Sequence, residues 1–210
     1  MDLQAEFGNI DIYLFDHLLR GTITPGMRVF DAGCGQGRNL VYLLRQGYEV
    51  CGNDTNAEAV AAVRALAVGL APGATCDFRV ERIEATSFPD GHAHVVIASA
   101  VLHFAESHGH FDAMLAALWR VLRPGGVLLA RLASSIGIET LVRPVGVEGR
   151  HHLPDGSRRY LVDASRLLEA TSALGGSLVD PLKTTVVHGQ RAMTTWVVRK
   201  APDGSGRDAR

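Results

Sequence analysis

Five short apolar runs, most of them separated by stretches with helical spacing, fix most of what this chain can become. The runs are MRVFDAG (27–33), YEVCGN (48–53), TCDFRV (75–80), HVVIASA (94–100) and VLLARLA (127–133). They are apolar almost continuously, not alternately, so both faces of each strand must be covered. Helix is predicted from just after Gly37 to Arg45, from Ala57 to about Val68, and from Phe111 to Val121. Strands and helices alternating in this way predict an α/β fold with a doubly wound, mostly parallel sheet.

The rhythm breaks after the fifth run. Residues from about 133 to 160 carry Gly, Pro, His151-His152 and the turn PDG. So long an irregular stretch in a compact domain is usually functional, and it reads as a lid insertion. A helix over 163–173 follows, capped by Asp163. Then VDPLKTTVV (179–187) and AMTTWVVRK (192–200), separated by HGQ, should pair as an antiparallel hairpin. Before the first run, Ile12, Phe15, Leu18 and Leu19 predict an amphipathic cap helix over about 8–20. Pro124-Gly125-Gly126 reads as a turn. The whole reads as one domain over 1–200 with a disordered tail, 201–210.

Composition narrows the function. Of 210 residues 47% are apolar and 20% charged, so the chain is not a disordered one. A net charge of −1 argues against a nucleic-acid partner. No apolar run reaches the roughly 18 residues of a membrane helix, and MDLQAEFGNI has no signal core, so a cytoplasmic location is expected. Cys34, Cys51 and Cys76 show no CxxC spacing, which fits a reducing compartment. Nothing among the nine histidines shows the two-histidine i, i+4 pair plus carboxylate of a zinc hydrolase, so no metal is expected. Charge is uneven: residues 1–130 hold 9 basic and 14 acidic side chains, residues 131–200 hold 10 and 6. The basic second part suits an anionic substrate or a solvated surface. Oligomeric state stays open between monomer and homodimer.

The most informative segment is VFDAGCGQGRNL (29–40), where the first strand should turn into a helix. Gly33, Gly35 and Gly37 let the backbone turn tightly and approach a ligand. A helix N-terminus behind them would favour a carboxylate or a phosphate. The nicotinamide fingerprint requires a third glycine at position 38, which is Arg38. Asp31, just ahead of the loop, would repel a pyrophosphate but could bind an ammonium group. A ligand bearing carboxylate and ammonium is an amino-acid moiety. Asp54, about 20 residues beyond the loop and near a strand end, can accept both hydroxyls of a ribose, or cap the next helix beside Asn56. Amino acid and ribose together describe S-adenosylmethionine. The alternatives are an NAD(P)-dependent oxidoreductase on a similar sheet, and a non-catalytic subunit that binds a nucleoside cofactor.

DAGCGQG (31–37), Asp54, SFPDGHAHVVIASAVLHF (87–104) and LRPGGVLLA (122–130) together resemble a class I S-adenosylmethionine-dependent methyltransferase. The resemblance covers roughly residues 25–132 and, more weakly, the C-terminal hairpin. Within that superfamily, GQGRN followed by LLRQGYEV resembles the tellurite-resistance and thiopurine type of small-molecule methyltransferase. It implies a Rossmann-like, seven-stranded sheet whose last strand runs antiparallel. It also implies that Asp31, Ala32, Gly33, Gly35 and Gly37 surround the methionine portion and that Asp54 and Thr55 hold the ribose. The acid often found near adenine is replaced by Arg82, which leaves the backbone N–H of Ile83 as the carried-over contact.

In such sheets ligands sit at the carboxyl ends of the strands, so Ser99 and Ala100 should lie beside the reacting methyl group. Methyl transfer to a small molecule needs alignment first, and a base only for a protonated nucleophile. His103 is the candidate base, or else a histidine bonded to a neighbouring loop. Arg131 could hold an anionic substrate or pair with Glu106 or Asp163. Arg38 could meet Asp31 or the substrate. Tyr13 could close over the cofactor or simply pack. His151, in the lid, completes the candidate substrate contacts.

Overall fold

A computed structural model describes residues 2–203. Seven strand positions form one sheet in the order β10-β11-β5-β4-β1-β2-β3. They are β1 (Arg28–Ala32), β2 (Glu49–Asp54), β3 (Asp77–Val80), β4 (Ala93–Ser99), β5 (Leu122–Ser134), β10 (Lys183–Val187) and β11 (Arg191–Lys200). β1 to β5 are parallel, and β11 runs antiparallel to β5. A short strand, β9 (Gly176–Leu178), pairs with the far end of the β11 edge that β10 also uses, so the sheet counts eight strands in seven positions.

The doubly wound reading holds, and adjacent residues show it. Val29, Val95 and Ile97 pack on one face with Leu40, Leu43, Val60 and Val63; Phe30, Val96 and Ala98 pack on the other with Phe111, Leu118 and Leu167. The first group includes residues of α3 (Val41–Arg45) and α4 (Ala57–Leu70); the second includes α5 (His108–Val121) and α6 (Ala164–Ala173). Side-chain acceptors begin three of these helices: Asn56 caps α4, Ser107 caps α5, and Asp163 caps α6 as expected.

Four local expectations are corrected. The cap helix is two helices, α1 (Leu3–Phe7) and α2 (Ile12–Leu19), because Gly8 takes φ 62° and Asp11 starts a new N-cap. The helix after the glycine loop begins only at Val41, four residues beyond Gly37, so no helix end lies directly behind the loop. Pro124-Gly125-Gly126 lies inside β5 as a bulge, where the register against β4 shifts between Ala93 and Val95. The insertion is not an open loop. β6 (Arg143–Pro144), β7 (Arg150–His152) and β8 (Arg158–Tyr160) make a small antiparallel sheet. It docks through Tyr160, fully buried and stacked on Phe111 at 4.9 Å, with its hydroxyl 2.7 Å from His108 Nδ1.

The hairpin β10–β11 is as expected, and Trp196 fills the core with its Nε1–H donating to Thr171. Residues 201–203 are neither helix nor strand, and the rest of the expected tail, 204–210, lies outside the described residues. Among the described residues no helix is long and apolar enough to cross a membrane. Cys34, Cys51 and Cys76 are free thiols.

Candidate active site

The glycine loop sits at the carboxyl tip of β1, between β2 and β4. Gly33 has φ 65°, and a Cβ there would lie 2.5 Å from Val101 Cγ2. At Gly37, φ 83°, a Cβ would meet Val63 and Leu66 of α4 at 2.8 and 2.9 Å. Gly35, φ 52°, has open space where its Cβ would be. Two glycines therefore allow close packing, and the middle one leaves a hollow.

Asp31 is buried at the end of β1, and its Oδ2 has no hydrogen-bond partner among the described residues. Burial pushes its carboxyl up to about 7, eased by Arg38 and reinforced by Asp54. Ala32 beside it is fully buried and paired with Asn53. Asp54, at the tip of β2, accepts from Gly35 N–H with Oδ2 and from Asn56 N–H with Oδ1, both at 2.9 Å. It braces the loop, while Asn56 alone caps α4.

Gly33, Asp54 and Thr55 open onto a cleft of about 360 Å³. Its other walls are Glu81, Arg82, Ile83 and Glu84 after β3, Ala100, Val101 and Phe104 after β4, and Glu106, His110 and Met114. Arg82 is turned aside onto Glu84. His110 and Met114 went unforeseen, although their i, i+4 spacing at the start of α5 puts them on one face.

Beyond Ala100 lies a second cavity of about 260 Å³, between the end of β5, the insertion and the hairpin. Ala100 lines both, and it is one of two non-glycine residues described with positive φ, at 63°. Its N–H donates to Arg131 O at 2.7 Å, which holds the left-handed turn against β5.

Several candidates are placed differently from expectation. Ser99 does not line the cleft: its Oγ donates to Asp11 Oδ2 at 3.2 Å and accepts from Arg38 at 2.8 Å. Arg38 thus meets Ser99, not Asp31. Arg131 pairs with Asp11, at 3.2 Å, and neither with Glu106 nor with Asp163. Asp11 is the residue that sequence reasoning missed. It is buried, caps α2, and gathers Ser99 and Arg131 on a single oxygen. Position 11 falls inside the single helix expected over about 8–20, so neither its capping role nor its long-range partners showed locally. Tyr13 donates to or accepts from Thr185 Oγ1 at 2.8 Å and so ties α2 to the hairpin. His151 faces a separate hollow beside His108 and Arg166, away from both cavities.

His103 lines the second cavity. Its Nδ1 accepts from Ala133 N–H at 3.3 Å, and burial, with Arg159 nearby, pulls it down to about 4. The ring is therefore neutral at pH 7, with its proton on Nε2. This arrangement favours a hydrogen-bond donor over the expected base.

Residues 30–130 match the family described as methyltransferase domain. The match spans 101 of the 210 residues and takes in the glycine loop and the strand tips around the cleft. No curated protein sequence matches significantly. Many solved structures share the fold, and three illustrate it. An S-adenosylmethionine-dependent methyltransferase from Methanosarcina mazei is 20% identical over 89% of this chain and 98% of its own, with a TM-score of 0.73. The 1,6-didemethyltoxoflavin N1-methyltransferase of Burkholderia thailandensis, solved with S-adenosylhomocysteine, is 19% identical over 95% and 81%, with a TM-score of 0.70. The cyclase SpnF is 19% identical over 91% and 81%, also at 0.70.

The Burkholderia enzyme's structure holds S-adenosylhomocysteine, the demethylated product of S-adenosylmethionine. The residues present fit S-adenosylmethionine: the orphaned Asp31 Oδ2 needs a donor such as an ammonium, and the hollow at Gly35 admits a ligand backbone. Asp54→Ala is expected to weaken cofactor binding by about 1–3 kcal/mol, from lost acceptors and a loosened Gly35. Calorimetry checks this; unchanged affinity would remove Asp54 from the site.

Proposed function

We propose that the protein methylates a small molecule that enters the second cavity and meets the cofactor across Ala100. The single observation carrying this is that Ala100 lines both spaces. When bound, S-adenosylmethionine supplies a methyl group on a sulfonium, open to in-line displacement by the acceptor. Asp31 would hold its ammonium, Gly33, Gly35 and Gly37 its methionine chain, Asp54 and Thr55 its ribose, and Ile83 its adenine edge. Ala32 and Ser99 would support these from behind, Ser99 by fixing Arg38. His103 would donate from Nε2 and orient the acceptor. Tyr13 and Arg131 would close the acceptor side where α2 meets the hairpin.

The test is titration calorimetry with S-adenosylmethionine and S-adenosylhomocysteine, both expected to bind, against NAD(H), expected to be silent. NAD(H) binding alone would return the oxidoreductase reading.

Asp31 adds a pH signature. Its folded value of about 7 lies above the ordinary 3.8, so between these the folded chain keeps a proton that the unfolded chain releases. Stability without ligand therefore falls as pH rises through that window. A bound ammonium favours the charged carboxylate, so cofactor affinity should rise with pH up to about 7, and binding at pH 6.5 should release a proton. Binding heats that scale with buffer ionisation enthalpy, and lose that dependence in Asp31→Asn, are the expected result. Buffer-independent heats in the unaltered protein would exclude it.

A further inference from the structure

The second cavity differs from the first in its charge. Arg131, Arg159 and Arg191 converge on it from β5, the insertion and the hairpin, and Asp155 is the one carboxylate on its wall. Elsewhere Arg20, Arg120 and Arg166 each meet a carboxylate. Here the pairing is incomplete. Arg131 gives one Nη to Asp11, but its buried Nε has no hydrogen-bond partner among the described residues. Arg159 rests 5.0 Å above the Phe104 ring and donates to its neighbour's carbonyl, with no carboxylate in ion-pair reach among the described residues. Arg191 reaches Asp155 Oδ2 only at 4.0 Å, beyond hydrogen-bond distance, while Oδ1 accepts from Ser157 N–H.

Guanidinium groups brought together in a partly shielded hollow repel one another, and an anion relieves that repulsion. A carboxylate or phosphate also matches the planar guanidinium fork. The cavity supplies an apolar side as well, in Leu153, Val187 and Met193.

We propose that the methyl acceptor is an anionic small molecule, its carboxylate or phosphate held by Arg159 and Arg191 and its apolar body lying against Leu153, Val187 and Met193. Its reactive atom then points to Ala100. This rests on the methyl-transfer reading above and names the acceptor's class. At about 260 Å³ the space takes a compact molecule or one end of a longer one.

The test uses benzoate and phenylphosphate as probes and benzamide as the uncharged control. Binding is followed by saturation-transfer NMR and calorimetry on the full chain, with and without saturating S-adenosylhomocysteine. At least one anion should bind about tenfold or more tightly than benzamide, the effect of one charge-assisted pair. Arg159→Gln and Arg191→Gln should each weaken that anion about tenfold and leave S-adenosylhomocysteine affinity unchanged. Whichever anion leads distinguishes a carboxylate from a phosphate acceptor. Benzamide binding as well as the anions, or anion affinity unmoved in both variants, overturns the anionic acceptor and leaves the methyltransferase standing. Failure of S-adenosylhomocysteine to bind removes the methyl-transfer reading instead, and the anion comparison is then scored on the protein alone. Should a variant misfold, the anion-to-benzamide ratio in the unaltered protein decides.

Discussion

Replacing Asp11 with alanine is expected to lower stability by about 3 kcal/mol. Breaking a buried ion pair from one side costs roughly 3–5 kcal/mol. Here the Arg131 and Arg38 side chains are 25% and 45% exposed, so water takes up part of the lost charge and the cost falls to about 2 kcal/mol. Loss of the α2 N-cap adds about 1 kcal/mol. In a chain of this length the melting point should drop by roughly 6–12 °C. Asp11→Asn keeps a capping oxygen and should lose less. A wild-type melt for Asp11→Ala would mean that the network around Ser99 contributes nothing.

Gly33→Ala should be comparably damaging. Its φ of 65° costs a side-chain-bearing residue about 1–2 kcal/mol. The 2.5 Å approach to Val101 adds an overpacking penalty of about 1–3 kcal/mol. Val101 follows Ala100, so the displaced segment is the one between the two cavities. Gly35→Ala is the control: its Cβ meets nothing within 4 Å, so only the backbone penalty applies. That variant should lose more cofactor affinity than stability. Paired melts and calorimetry separate the two; equal melting points for both variants would discard the Val101 contact as a constraint.

The parallel sheet was legible because its strands are apolar on both faces, a pattern that few other folds produce. The glycine loop was legible because Arg38 and Asp31 exclude the nicotinamide pattern while Gly33, Gly35 and Gly37 keep the turn. What escaped was long-range. Arg131 announced a buried cation in β5, but its partner lies 120 residues away, at a helix cap. Arg159 and Arg191 carried no local signal, because the insertion's small sheet and the hairpin bring them together only after folding. Ser99 was correctly placed at a strand tip, yet strand periodicity does not say which neighbour its hydroxyl will choose.

The insertion is a folded piece in its own right, seated on α5 through Tyr160 and Phe111. In the proposed reading the cofactor cleft takes residues from the tips of β1 and β2 and from just after β3, whereas much of the acceptor cavity's wall comes from that piece and the hairpin. On that proposal, exchanging a few side chains around 153–159 and 187–193 would change what this scaffold modifies and leave the donor cleft untouched.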